Sequence, residues 1–147
     1  MAESTSPQPV PQSVSPSGDI LAILTADYHN FPRNQTYELY AENVYFRDPV
    51  TEFRGRERYR QMIQMIERLF SDPQLDLHQI SRSGSQIRSD WTLHWTTPLP
   101  WKPRIQISGW SELEVNAAGQ ITAHRDYWHC SRWQVLQQHF WSRVAKP

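Results

Sequence analysis

Between Leu75 and His129 the chain alternates apolar and polar residues in four runs: Leu75 to Arg82, Gln86 to Thr96, Arg104 to Val115 and Gln120 to His129. A period of two over this many residues commits more than a quarter of the chain to strands. The runs are joined by turn signals at Ser83-Gly84-Ser85 and Asn116 to Gly119 and by the loop Thr97 to Pro103, which carries Pro98, Pro100 and Pro103 around Trp101. Connections this short fit neighbouring antiparallel strands, so the expectation is a meander. The Trp101 loop is expected to be stiff. Either it projects as a pocket lip or partner contact, or its Trp folds back on the sheet.

Helical periodicity lies on either side of these strands. Ile20, Ile23, Leu24, Asp27 and Tyr28 recur at helical spacing after Ser17, a candidate cap, and Phe31-Pro32 stops them. Tyr37, Leu39, Tyr40 and Ala41 predict a short second helix over Asn34 to Glu42. The strongest helix has Tyr59, Met62, Ile63, Ile66, Leu69 and Phe70 as one stripe and ends at Ser71-Asp72-Pro73. A stripe of this kind is core rather than a cofactor box. Ser131 can cap a last helix bearing Trp133, Leu136, Phe140 and Val144. Helices first and strands after predict an α+β fold, with helices on one face of a curved antiparallel sheet and a C-terminal helix closing the chain. Met1 to Ser17, rich in Pro, Ser and Gln, reads as a disordered tail, and residues 18–147 as a single domain.

Composition narrows the function. Fifteen basic and fifteen acidic residues leave no net field to attract nucleic acid or an anionic membrane. The single cysteine, Cys130, excludes an internal disulfide and a cysteine-based metal cluster and fits a reducing compartment. No apolar run nears the roughly 20 residues that span a bilayer. The expectation is a cytoplasmic protein that engages neither nucleic acid nor membrane.

The stretch YAENVYFRDPV, Tyr40 to Val50, compresses a helix end, a strand and an acid into eleven residues. Pro49 removes a backbone donor, so the strand stops or bends at Asp48. Val44, Phe46 and Asp48 share one face, and an acid among apolar groups is the ingredient of a perturbed carboxyl. Equally, Asp48 can serve only as an acceptor for backbone N–H groups of the turn that follows.

These segments, with Gly55 and its following helix, ISGWSELEVNAAGQI and HRDYWH, resemble the nuclear transport factor 2-like superfamily, which includes ketosteroid isomerase, limonene-epoxide hydrolase, scytalone dehydratase and SnoaL-like polyketide cyclases. TLHWTTPLPWKPRIQISGWSELEV and ITAHRDYWHCSRWQVLQQHF are similar to a family of uncharacterised cyanobacterial and plastid-bearing-organism proteins. The resemblance covers residues 18 to about 143 and implies a cone: a bent sheet wrapped on helices, with an apolar pocket at one end. The strand period then points Ser89, Trp91, Leu93 and Trp95 inward, with Ile107, Gly109, Ser111 and Leu113 on the next strand and His124, Asp126 and Trp128 on the last. A bulge in the last strand would exchange Asp126 for Arg125 or Tyr127.

Residue by residue, the resemblance places Asp48 at the general base of the isomerases and Asp126 at the acid of the cyclases and epoxide hydrolases. The isomerases' oxyanion-hole acid falls on Ser111, and their helix-one tyrosine falls near Leu24, with Tyr28 a turn away. Ketosteroid isomerisation is therefore not expected. Asp48, Asp126 and His124 are the candidate catalytic groups, and Tyr28, Phe46, Trp91, Leu93, Ser111 and Trp128 the candidate ligand contacts. Ser111 or Tyr28 would donate to a developing oxyanion. No cofactor is implied. A metal site from His124, Asp126 and His129 is not expected, since His129 falls on the opposite strand face and no further ligand is indicated. Three readings remain: a binder of a small, mainly apolar molecule, a cofactor-independent acid/base enzyme of isomerase, dehydratase or cyclase type, and an interaction module. The convex sheet face, where Trp110 alternates with Glu112 and Glu114, is the expected surface of a homodimer, as superfamily members often pair through it.

Overall fold

The computed structural model describes residues 16–141, with the side chains of 16–19 left aside. Helix α1, Pro16–Asn30, already contains Ser17. The expected tail from Met1 to Ser15 and the expected helix contact at Val144 lie outside the described residues.

Six strands make one curved sheet in the order β2-β1-β6-β5-β4-β3. β3 (Ser71–Ser83), β4 (Gln86–Thr96), β5 (Arg104–Val115) and β6 (Ile121–Trp128) form the expected antiparallel meander. Beside it β1 (Tyr40–Arg47) runs parallel to β6, and β2 (Glu52–Arg54) folds back on β1. Helices α1 and α2 (Arg56–Leu69) cover the concave side, and α3 (Arg132–Gln138) closes the described chain. This is a mixed α+β cone. Among the described residues no helix is long and apolar enough to cross a membrane.

Three local expectations are corrected. The second helix shrinks to a single 3-10 turn, Tyr37–Leu39, and Tyr40 and Ala41 belong to β1. Leu39, Tyr40 and Ala41 are buried in succession, which no helical stripe provides, and β1 bulges between Tyr40 and Tyr45 against β6 to keep both ends paired. The turn from Thr51 to Gly55 contains a strand, because Tyr45, Phe46 and Arg47 pair with Arg54, Phe53 and Glu52. Finally, α2 stops at Leu69 and β3 begins at Ser71. Pro73 sits where the pairing of this edge strand shifts, a position at which its missing N–H breaks no ladder.

The core joins the inner faces of α1 and α2 to the concave sheet: Ile20 and Leu24 from α1, Tyr59 and Ile63 from α2, and Phe46, Ile87, Trp91, Ile107, Leu113 and Ile121 from the strands. Gly109 marks the tightest approach of β5 to β6. A Cβ there would overlap the Tyr127 carbonyl oxygen and press on the Trp91 ring, so this inward position is open only to glycine.

Helix α3 has the predicted cap. Ser131 Oγ accepts from the Gln134 N–H at 3.0 Å, and Gln134 Oε1 accepts from the Ser131 N–H at 2.8 Å. Its aromatic residues, however, are not core: Trp133 is 67% exposed and Phe140 62%. Of its apolar residues Val135 packs against the core, and polar groups supply further docking contacts. β6 ends its pairing with β5 at Trp128 opposite Gly109, and further along β5 the Gln138 amide accepts from the Gln106 N–H at 2.8 Å and donates to its carbonyl at 2.9 Å. A side-chain amide thus continues the ladder beyond the last strand.

Candidate functional site

Between the two helices and the concave sheet lies a cavity of about 130 Å³, open to solvent on one side. Its wall is mostly hydrocarbon and ring: Leu24, Tyr28 and Phe31 from α1 and its end, Tyr59, Met62, Ile63 and Ile66 from α2, and Tyr40, Phe46, Leu75, Trp91, Leu93 and Trp128 from the strands. Polar groups interrupt it at Asp27, Gln35, Asp48, Ser111, His124 and Asp126.

The strand period explains who meets whom. Ser111 on β5 stands opposite Asp126 on β6 and Ser89 on β4, so inward side chains of three strands fall into one row. The Ser111 hydroxyl donates to Asp126 Oδ1 at 2.5 Å and accepts from the Trp91 indole N–H at 2.8 Å. The same Asp126 oxygen lies 2.7 Å from His124 Nε2. His124 Nδ1 is 3.5 Å from the Tyr40 hydroxyl, which is 3.3 Å from that of Tyr59. The neutral imidazole satisfies this chain, with Nε2–H donating to Asp126 and Nδ1 accepting from Tyr40. Tyr28 Oη and the fully buried Ser89 Oγ are 2.5 Å apart.

The three carboxylates of the wall differ in what remains free. Asp27 spends both oxygens on Thr36, on its N–H at 3.0 Å and its hydroxyl at 2.9 Å, and thereby pins the chain after α1. Asp48 Oδ1 accepts from the Val50 and Thr51 N–H groups at 2.8 and 2.6 Å. Asp126 Oδ1 carries Ser111 and His124. Among the described residues, Oδ2 of Asp48 and Oδ2 of Asp126 form no hydrogen bond.

Burial shifts the titrations upward. It raises Asp48, against the pull of the Val50 N–H, and the Asp126 charge raises it further. Burial likewise raises Asp27. The Tyr28 hydroxyl is pushed up to about 12, chiefly by burial, and Tyr40 and Tyr59 are raised for the same reason. All three tyrosines therefore stay neutral hydroxyls near pH 7.

Residues 18–124 match the model of an uncharacterised conserved protein family, DUF2358. The chain belongs to the DUF2358 family. Among solved structures the DUF2358 chain is similar to a ketosteroid isomerase-like protein of Catenulispora acidiphila in complex with trimethylamine, at TM-score 0.68 and 16% identity over 89% of this chain and 99% of that one. It is also similar to an epoxide hydrolase of the limonene-epoxide hydrolase kind from Mycobacterium tuberculosis, at TM-score 0.65 and 15% identity over 83% and 90% of the two chains. A third neighbour is the epoxide hydrolase/cyclase-like SalBIII of salinomycin pyran-ring formation, at TM-score 0.62 and 18% identity over 80% and 93%. Identities this low describe a shared fold. No curated protein matches the chain.

All nine residues singled out in the sequence stand on the cavity wall of this DUF2358 fold: Asp48, His124 and Asp126, and Tyr28, Phe46, Trp91, Leu93, Ser111 and Trp128. No bulge displaces Asp126, since the register of β6 against β5 is regular from Trp128 to Ala123. One oxygen of Asp48 closes the turn, as one reading expects, while the residue also lines the cavity. Ser111 is not free as an oxyanion donor: its single proton goes to Asp126. Tyr28 retains that capacity whenever Ser89 is the donor of their pair. Trp101 is not a lip of the cavity. Its indole N–H donates to the His139 carbonyl at 2.5 Å and its ring lies 6.1 Å from Phe140, while 56% of the residue stays exposed. His129 packs on Trp110 at 4.9 Å, on the face away from Asp126.

Sequence reasoning missed Tyr40 and Tyr59 as polar members of the site. From sequence Tyr40 reads as part of a helix, and Tyr59 as ordinary core because its stripe is apolar. The only available signal was the number of tyrosines in the two segments that flank Asp48.

Proposed function

We propose that this protein binds a small, mainly apolar molecule in the cone. The observation that carries the reading is an open, ring-lined cavity of about 130 Å³ in which Asp48 and Asp126 each keep one oxygen unbonded. An apolar wall with a few convergent polar groups is the usual make-up of a small-molecule site, and a cavity of roughly 150 Å³ is enough for one benzene-sized ring. The neighbours of this fold include a trimethylamine complex and enzymes acting on small organic molecules, which is consistent with such a use. Native mass spectrometry of the protein purified from its own host, with release and identification of anything retained, tests the reading. A stoichiometric organic molecule is the expected result. A protein that is empty and also takes up no small molecule in a fragment screen by ligand-observed NMR would overturn it.

A second reading, proton transfer, is favoured by the bonding around Asp126. Ser111 and His124 fix the carboxylate, and its free oxygen is the geometry a general base requires. Asp126→Asn preserves the shape and removes the base. With an identified carbonyl, epoxide or hydroxyl ligand as substrate, turnover should fall by a factor of about 10² to 10⁴. Unchanged turnover in a folded Asp126→Asn protein would exclude the role.

The convex face is a third proposal, as a homodimer surface. Trp110, stacked 5.1 Å from Tyr127 and overlain by Arg88, would lie at its centre. Sedimentation should then show a dimer that Trp110→Ala weakens, and a wild-type monomer at all concentrations would exclude it.

A further inference from the structure

The cavity's charge is one-sided in a chain whose overall charge is balanced. Of the nineteen residues on its wall three are aspartates, one is a histidine, and none is lysine or arginine. Even a protonated His124 would leave the wall net negative. Seven of the nineteen are aromatic, and Tyr28, Tyr40, Phe46, Tyr59, Trp91 and Trp128 come from both helices and three strands, surrounding the space rather than flooring it.

A ring presents its negative face to a cation, and desolvation strengthens that attraction. A carboxylate partly withdrawn from water is costly until a positive charge approaches it. Here two such carboxylates, Asp48 and Asp126, keep an unbonded oxygen, and among the described residues of the wall only His124, and only when protonated, could supply a counter-charge. An anionic ligand would meet repulsion without a cation to hold it. A neutral one would leave both oxygens unanswered.

We infer that the cavity selects a small alkylammonium ion, with a cationic head of about the size of a trimethylammonium group enclosed by the rings between Asp48 and Asp126. The inference rests on the reading of the cone as a ligand pocket and names the class of its ligand. The upward displacement of the Asp48 carboxyl by burial and by Asp126 agrees with a site lacking its positive charge. The open side of the cavity leaves room for one substituent on the nitrogen to reach solvent.

Choline and 3,3-dimethylbutan-1-ol have the same shape and differ in charge, so calorimetric titration of the full chain with each separates charge from fit. Choline should bind about tenfold tighter or more. Asp48→Asn and Asp126→Asn should each lower the ratio of choline affinity to alcohol affinity severalfold. Equal or tighter binding of the alcohol overturns the charge selection and leaves the pocket reading standing. If neither binds in the millimolar range, phenol serves as a neutral ring in the same cell. Uptake of phenol alone overturns only the charge selection, and no uptake of any probe overturns both. The wild-type comparison stands even where a variant fails to fold.

Discussion

At the scale of single residues, Gly109 and Asp48 make opposite kinds of demand. Gly109 is a steric requirement: Gly109→Ala would set a methyl against the Tyr127 carbonyl and the Trp91 ring. It should destabilise the fold by about 1–3 kcal/mol in urea unfolding. Asp48 is an electrostatic strain. Its carboxyl is raised in the folded state, so the folded protein holds the proton more tightly than the unfolded chain does. Its contribution is therefore fully present below the ordinary value of about 3.9 and is lost as pH rises through the raised one. Asp48→Asn keeps an oxygen for the Val50 and Thr51 N–H groups and removes the charge. Asp126 and His124 still face the site, and Asp27 is raised in both proteins, so these groups largely cancel in the comparison. Stability of Asp48→Asn relative to wild type should rise between pH 4 and pH 7; a difference independent of pH would show that Asp48 is not strained. The inward set on β4, β5 and β6 was legible because a period of two fixes facing once one residue is placed. The pairing of Ser111 with Asp126, and of Tyr40 with His124, was not, because register across strands is set by bulges and turn lengths that no single strand reveals.

Among the elements, α2 and the meander announced themselves through strong periodicity, and α3 through its cap. What failed was the inference from apolar spacing to burial. Trp133, Leu136 and Phe140 recur at helical steps yet remain exposed, since the contacts that dock α3 run through Val135, Gln138, His139 and Trp101. Ser131→Ala removes the Oγ that accepts from Gln134, and loss of such a cap costs about 1 kcal/mol. Because α3 packs mainly against β5, the cost should appear as faster amide exchange confined to α3, with protection of the meander unchanged. Faster exchange throughout β4 and β5 would instead make α3 part of the cooperative core. The short second helix failed for a different reason. Tyr37 to Ala41 fits a helix locally, but Asp27 pins Thr36 before a single 3-10 turn and pairing with β6 draws Tyr40 into β1.

For the whole molecule, the single cone follows from placing the parallel β1 next to β6, which curls the meander over α1 and α2 and brings Asp48 to the same opening as Asp126. No local pattern announces a parallel neighbour eighty residues away, so this part of the site's assembly was visible only through resemblance. The Gln138 amide, which occupies the ladder position on β5 beyond the end of β6, has a further consequence. An exposed strand edge invites addition of a foreign strand. A chain lacking α3, or carrying Gln138→Ala, would present the Gln106 peptide group bare at the strand edge. α3 would then act as a guard against self-aggregation, and light scattering on warming should rise in the variant before any loss of secondary structure.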